Sequence, residues 1–424
     1  MAERRAPDLS ALGIDPESVG FLTRDDYHEV LARLRTEAPV HEYAPGSWTL
    51  SRYDDVRSVS RDPERFRSGG GVLMNDPKRS GGELPGSILH MDPPEHAAWR
   101  RIASRWFTPR AVAGLSDRVG AVTAGVFDEL GPGDDVDLVE AVAAPVPVLV
   151  IADLLGLGDA ERSDVRRWSD ACIEGTDEDP DGAAAATAMV AVAELLGFLS
   201  EHAAARRTRP RDDLLTALVQ AEVEGRPLRD DEVVVYCMSL LVAGNETTRH
   251  LISGSAAALD AHPDQRRSLV GADDEVLATA VEESLRWVTP IQTFARTAAV
   301  DVDLGGATVR EGDWVVLLYA SANRDPSAFG ETADRFDASR PANPAHVAFG
   351  FGEHLCLGAS LARLVARSTL GRLLDRFPDY AVSGPPTWTR STLVRGFSSL
   401  PVTLGRGADP APWSGRAPSP GGRA

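Results

Sequence analysis

Phe349-Gly350-Phe351-Gly352-Glu353-His354-Leu355-Cys356-Leu357-Gly358 is the stretch on which the reading of this 424-residue chain turns. Gly350 and Gly352 permit bulge-like backbone at the end of a short strand, swinging the following residues out of any ladder. A helical apolar stripe then begins, with Leu357, Leu361 and Leu364 at i, i+4 and i+7. Cys356 is thereby expected at a helix N-terminus, where free N–H groups and the positive dipole end favour an anion. The thiolate is the form of cysteine that binds metal. Gly358 lets backbone amides approach the sulfur. The competing reading is a buried, inert core thiol.

Asp230 opens a second informative segment, a helix that continues to about His262 with Pro263 beyond it. Acids fill its first turn and apolar residues follow almost all round, as in a helix that crosses a core. At the usual rise such a helix spans roughly 45 Å. Its middle breaks the pattern. Gly244 costs about 1 kcal/mol against alanine, and Glu246, Thr247 and Thr248 put a carboxylate and two hydroxyls among apolar residues. Either this turn faces a wet crevice, or it kinks over a cofactor. In the second case Gly244 opens space, Thr247 offers a hydroxyl and Glu246 passes protons inward.

The pattern Phe-Gly-x-Gly-x-His-x-Cys-x-Gly resembles the haem-binding loop of the cytochrome P450 family. Ala243, Gly244, Glu246 and Thr247 resemble that family's oxygen-binding groove. The resemblance runs from about Asp25 to Leu404. It implies a mainly α fold with small β-sheets in one large domain (25–404), preceded by an N-terminal extension (1–24). It implies haem b (iron protoporphyrin IX) with Cys356 as axial thiolate and metal ligand, embraced by Phe349, Gly350 and Gly358, with Ala243 and Gly244 also lining the cofactor. Thr247 then hydrogen-bonds bound dioxygen, and Glu246 belongs to the proton relay.

Further residues take roles from the same resemblance. Asp92-Pro93-Pro94-Glu95 suits a helix start, with Asp92 as cap. His96 and Arg100 lie i, i+4 behind it and resemble the residues that hold haem propionates. Arg296, in Phe294-Ala295-Arg296, and His354 fill two more such positions, and a dianion needs charge-assisted clamping. Glu283 and Arg286, at i, i+3 on a helix from about Glu275 to Trp287, match the family's Glu-x-x-Arg motif and imply a structural role. Their third partner is Arg340 or His346. Asn323-Arg324-Asp325-Pro326 fits a family turn.

Substrate-facing positions follow by analogy in Gly69–Leu89, Trp168–Val190, Ala243, Pro290–Phe294 and Leu393–Phe397. They offer Val72, Leu73, Met74, Ile88, Leu89, Ile291 and Phe397, a lining suited to a largely apolar small molecule. The implied reaction is oxidation of such a molecule by O2, with natural-product tailoring as the first reading and steroid, terpenoid or lipid oxidation as the second. A haem protein that senses ligand without turnover would not need Glu246 and Thr247. A peroxide-driven enzyme is a nearer rival.

Composition narrows the classes. The formal net charge of −19 argues against general nucleic-acid binding. Acids are missing between His96 and Leu115, where Arg100, Arg101, Arg105 and Arg110 cluster. This is a solvated basic face or a docking face for an acidic partner. No nucleotide-binding loop or zinc pattern is present, so electrons are expected from a separate ferredoxin and ferredoxin reductase, with Arg363 and Arg367 as further docking candidates. Cys172, Cys237 and Cys356 are odd in number and far apart, which points to a reducing compartment. With no apolar signal core and no apolar run of spanning length expected, the chain reads as cytoplasmic, without a membrane segment. Residues 405–424, rich in Pro, Gly, Ser and Arg, read as a disordered tail.

Overall fold

Short strands edge the fold and amphipathic helices fill it. The computed structural model describes Leu9 and residues 12–82, 86–157, 164–165, 167–168 and 183–405. The principal helices are α1 (Tyr27–Glu37), α2 (Tyr53–Ser60), α3 (Glu95–Ser104), α4 (Ser116–Asp128), α5 (Pro145–Leu155), α6 (Ala183–Thr208), α7 (Asp230–Ala261), α8 (Asp274–Val288) and α9 (Ala359–Arg376). The strands used below are β1 (Val40–Ala44), β2 (Ser47–Leu50), β3 (Phe66–Arg67), β4 (Asp135–Asp137), β5 (Thr293–Ala298), β6 (Trp314–Leu318), β7 (Ala381–Val382), β8 (Thr387–Trp388), β9 (Phe397–Ser399) and β10 (Pro401–Thr403). The mainly helical expectation with small sheets holds. Most of Trp168–Val190, Cys172 and nearly all of the 405–424 tail lie outside the described residues.

α7 is the axis. Asp230, Asp231 and Glu232 occupy its first turn, complementing the helix dipole. Glu232 reaches back to the Arg229 amide at 2.8 Å, so the cap is Arg229, one residue earlier than expected. The helix runs 32 residues to Ala261, and α5, α6, α8 and α9 pack against it. α6 supplies Ala191, Leu195, Leu199 and Ala203, all buried and four residues apart, as a stripe beneath a more exposed face. Part of α6, Ala186–Thr208, is long and apolar enough to cross a membrane by length and composition. This corrects the expectation that no run approaches that length. Alanines, small yet counted as apolar, spread the hydropathy round the whole helix.

The main sheet has the order β1-β2-β6-β5-β3, with β2 and β6 parallel and the other neighbours antiparallel. Every residue of β6 is buried, as a Val- and Leu-rich central strand requires. Leu12, Ile14, Phe21 and Leu22, from the segment read as an extension, pack with Leu31, Leu34 and Trp314 under this sheet. The smaller sheets include β7-β10-β4 and the pair β8-β9.

α8 carries the buried ion pair that connects these layers. Arg286 donates to both carboxylate oxygens of Glu283 at 2.6 and 2.7 Å, and to the carbonyls of Asn323, Ala333 and Arg335 at 2.7, 2.7 and 3.0 Å. Glu283 also accepts from the Asp337 amide at 2.8 Å and from Arg340 Nε at 3.0 Å. Arg340 is thus the third partner. His346 turns instead to Glu282, 3.3 Å away. Removing one member of such a pair strands the other charge, at a cost of about 3–5 kcal/mol. Glu283→Ala should lower the urea midpoint of the holoprotein by a corresponding amount, whereas an exposed control such as Glu331→Ala should leave it unchanged.

Candidate active site

Backbone hydrogen bonds fix the cysteine loop before any side chain does. The Val347 carbonyl accepts from the Gly350 amide and the Phe349 carbonyl from the Cys356 amide, both at 2.9 Å. Gly350 and Gly352 take φ of +70° and +76°, a region open to glycine. Nothing larger fits at Gly352, where a Cβ would stand 2.0 Å from the Ser60 carbonyl oxygen of α2. Phe351, between the glycines, lies 4.3 and 4.4 Å from the Arg57 and Arg61 guanidinium carbons, within cation–π range. The strand expected ahead of the cysteine does not form, because the loop closes on itself as a turn. α9 begins at Ala359, three residues beyond Cys356.

Cys356 reaches solvent, yet protein packs densely around it, which places it on the floor of a concavity. Burial pushes its thiol above the ordinary value; the Gly358 amide and the charges of Arg100 and Arg363 pull downward without prevailing. Burial thus opposes the anion at this sulfur, against the downward pull of the Gly358 amide and the two guanidiniums. A coordinated metal ion deprotonates a thiol outright.

Four predicted clamp residues converge on this floor. The rings of His96 and His354 stand 4.1 Å apart between centroids. Arg100 donates to the Leu355 carbonyl, one residue from the cysteine. Arg296, buried on β5, donates to the Ala295 carbonyl at 2.7 Å and acts electrostatically on both imidazoles. Desolvation first, then Arg100, lowers His96 to about 4, and desolvation followed by Arg296 lowers His354 to about 2. Both rings are neutral at pH 7. His96 Nε2 is buried without a hydrogen-bond partner, and neither Arg100 nor Arg296 has a carboxylate partner among the described residues. Asp92, the expected cap, instead accepts the Ser68 and Gly69 amides at 2.7 and 3.1 Å, because α3 starts later, at Glu95.

α7 separates the acid from the alcohol. Ala243 is exposed and Thr247 half-buried, with the Thr247 hydroxyl donating to the Ala243 carbonyl at 2.8 Å. Glu246 turns into the core, paired with Arg249, 3.4 Å from Asn245 Nδ2 and 3.6 Å from His250 Nε2. Gly244 opens no gap: a Cβ there would meet Ile151 of α5 at 3.3 Å, and the helix is unbroken. The glycine allows two helices to approach.

The substrate positions divide. Val72, Ile88 and Phe397 are buried, while Leu73, Leu89 and Ile291 are half-buried. Arg363, a docking candidate, is tied to Glu282 and lies over the Phe349 ring at 4.6 Å. Ser68, 3.1 Å from His354 Nε2, left no signal in the sequence because its partner is 286 residues away. A separate groove of about 650 Å³, lined by Val122, Val126, Leu130 and Leu149 among others, holds none of the predicted residues.

Known proteins match this geometry over most of its length. The family described as Cytochrome P450 matches residues 272–389. The steroid C26-monooxygenase of Mycolicibacterium smegmatis is 36% identical, over 88% of this chain and 91% of its own. The chain belongs to the cytochrome P450 family. The structure of Mycobacterium marinum P450 CYP268A2 in complex with pseudoionone has TM-score 0.85 and 38% identity, covering 95% of this chain and 100% of that one. A mutant of P450 EryK, a protein of S. erythraea, in complex with erythromycin B has TM-score 0.81 and 32% identity, covering 91% and 97%.

As a P450 the chain is a haem-thiolate monooxygenase that acts on a small molecule with O2 and redox partners. The sensing alternative falls away. The residues fit the cofactor: an accessible thiol on a cavity floor, flanked by two guanidiniums without carboxylate partners and an orphaned imidazole nitrogen.

Beside Phe349, Glu282 is held down to about 2 from 4.5; desolvation opposes this, but hydrogen bonds from Arg363 and His346 overcome it. Its stabilising contribution is therefore complete above pH 4.5 and is lost as the pH falls through about 2. Urea unfolding of wild type and Glu282→Gln should differ by roughly 3 kcal/mol at pH 6, with the gap narrowing as the pH falls from 4.5 toward 2.

Proposed function

We propose that the Cys356 thiolate would hold the iron of haem b and that His96, Arg100, Arg296 and His354 would receive its propionates. The convergence of these four groups beside the cysteine carries the reading. Phe349, Gly350 and Gly358 shape the thiolate side, and Ala243, Gly244 and Thr247 belong to the opposite face. When bound, the haem supplies O2 activation and insertion of one oxygen atom into substrate. The chain's own work is to hold, orient and protonate. Thr247 positions a proton at its hydroxyl oxygen, and Glu246, the residue before it on α7, supplies protons toward it by turning from its core pairing with Arg249. Glu283 and Arg286 hold the fold around the cysteine loop.

The domain proposed is 25–404, with Leu12, Ile14, Phe21 and Leu22 of the preceding segment packed into its core, and the location is cytoplasmic, with electrons from a ferredoxin and its NAD(P)H-dependent reductase. The substrate proposed is a largely apolar natural product met during tailoring, lined by Val72, Leu73, Ile88, Leu89, Ala243, Ile291 and Phe397. The complex of EryK with erythromycin B supports this reading. Oxidation of a steroid, terpenoid or lipid is the second reading, favoured by the relative named a steroid C26-monooxygenase.

The carbon monoxide difference spectrum of the reduced, purified holoprotein tests the ligand. It should show the strongly red-shifted Soret band of thiolate ligation, lost in Cys356→His. A band at the shorter wavelength in gently handled wild type would overturn the assignment. Thr247→Ala should keep the red-shifted band but divert electrons from product to peroxide, measured as NADPH consumed per product formed. Unchanged coupling would remove Thr247 from the mechanism.

A further inference from the structure

One imidazole joins the two arms of the loop that contains most of the proposed pocket lining. His90 Nε2 lies 2.7 Å from Asp76 Oδ2, and His90 Nδ1 lies 2.8 Å from Ser87 Oγ. All three residues are buried. Asp76 also accepts the amides of Val72, Leu73 and Lys78 at 2.8, 3.0 and 2.9 Å. An ionised carboxylate only accepts, so His90 donates from Nε2 to Asp76, and Nδ1 pairs with the Ser87 hydroxyl, which can donate or accept. Burial alone would raise the Asp76 carboxyl, but the hydrogen bonds from His90 and the three amides hold it below its ordinary value.

Asp76 thus fixes the backbone of Val72 and Leu73, while Ser87 fixes the turn that begins at Ile88. The Val72 carbonyl accepts the Ala295 amide at 2.9 Å, which ties the same arm to β5, one residue from Arg296. Asp92 closes the loop at its base through Ser68 and Gly69. A buried polar network stabilises a fold no better than apolar packing of the same volume, unless it is needed to specify one arrangement. Here it sits inside a loop whose other buried side chains are mostly apolar, and each member has its partner.

We infer that the Asp76–His90–Ser87 network determines substrate specificity by setting the separation between Val72 and Leu73 on one arm and Ile88 and Leu89 on the other. The inference rests on the proposed reading of those four residues as pocket lining. None of the three network residues needs to touch substrate or haem. They position the residues that do.

The test uses holoprotein and two probes, imidazole and the bulky azole clotrimazole, titrated by the optical shift each produces. Imidazole is too small to depend on the loop arms. In Asp76→Asn and His90→Leu, clotrimazole affinity should fall about tenfold, near 1.4 kcal/mol, with imidazole affinity unchanged. His90→Gln, which retains a donor toward Asp76, should recover part of the loss. Hydrogen exchange of the Val72, Leu73 and Lys78 amides should accelerate in Asp76→Asn. Should that variant fail to fold, Ser87→Ala removes a single link and should show a smaller shift of the same kind. Equal changes for both azoles, or an unchanged clotrimazole affinity with faster exchange, would overturn the inference. Failure of the underlying function would look different: wild type itself would lack the red-shifted carbon monoxide band.

Discussion

The Glu283–Arg286 pair is the constraint from which the cysteine loop takes its position. Arg286 holds the carbonyls of Asn323, Ala333 and Arg335, so a segment whose regular structure is one short helical turn, Pro326–Phe329, is fixed at both ends by one guanidinium. Asn323 in turn accepts the Val347 amide at 2.7 Å and donates to Thr289 at 2.8 Å. Val347 and Phe349 then set Gly350 and Cys356 through the turn. A few charge-assisted bonds at one end of this series thereby govern sulfur placement at the other. Such precision suits a buried network in which every donor is used, because partial satisfaction would cost more than it gave.

Charge is distributed against the overall balance. The chain is strongly acidic, at −19, yet the region around Cys356 gathers Arg100, Arg296 and Arg363 near neutral imidazoles. Glu353 lies 3.4 Å from His354 and Glu282 pairs with Arg363, so Arg100 and Arg296 are the basic groups left there to concentrate positive field where an anionic group is to be held. Desolvation keeps His96 and His354 uncharged, which spares the guanidiniums a repulsion and leaves each ring one N–H to donate and one nitrogen to accept.

The parts of this molecule that were legible in the sequence are those encoded by local spacing. The cysteine loop with its glycines, the i, i+3 pair on α8 and the length of α7 follow from residues close together in the chain. At Gly244 local spacing left the reason for the glycine open, and only the three-dimensional neighbour, Ile151, shows that a second helix approaches closely there. Choosing Arg340 over His346 needed the same kind of information, since both lie at comparable distance along the chain from Glu283. Asp92 was misread as a cap because two prolines delayed the helix and freed its carboxylate for Ser68 and Gly69. The Asp76–His90–Ser87 network escaped attention altogether, as its members are common residues at unremarkable spacing.

The raised thiol of Cys356 bears on the life of the chain before it acquires its cofactor. A protonated sulfur is a poor nucleophile, slow to form sulfenic acid or to exchange with disulfides. Cys237, buried in α7 with its thiol likewise raised, is quieter still. Binding of a metal ion at Cys356 must therefore release a proton, so uptake of the cofactor by this chain is favoured as the pH rises.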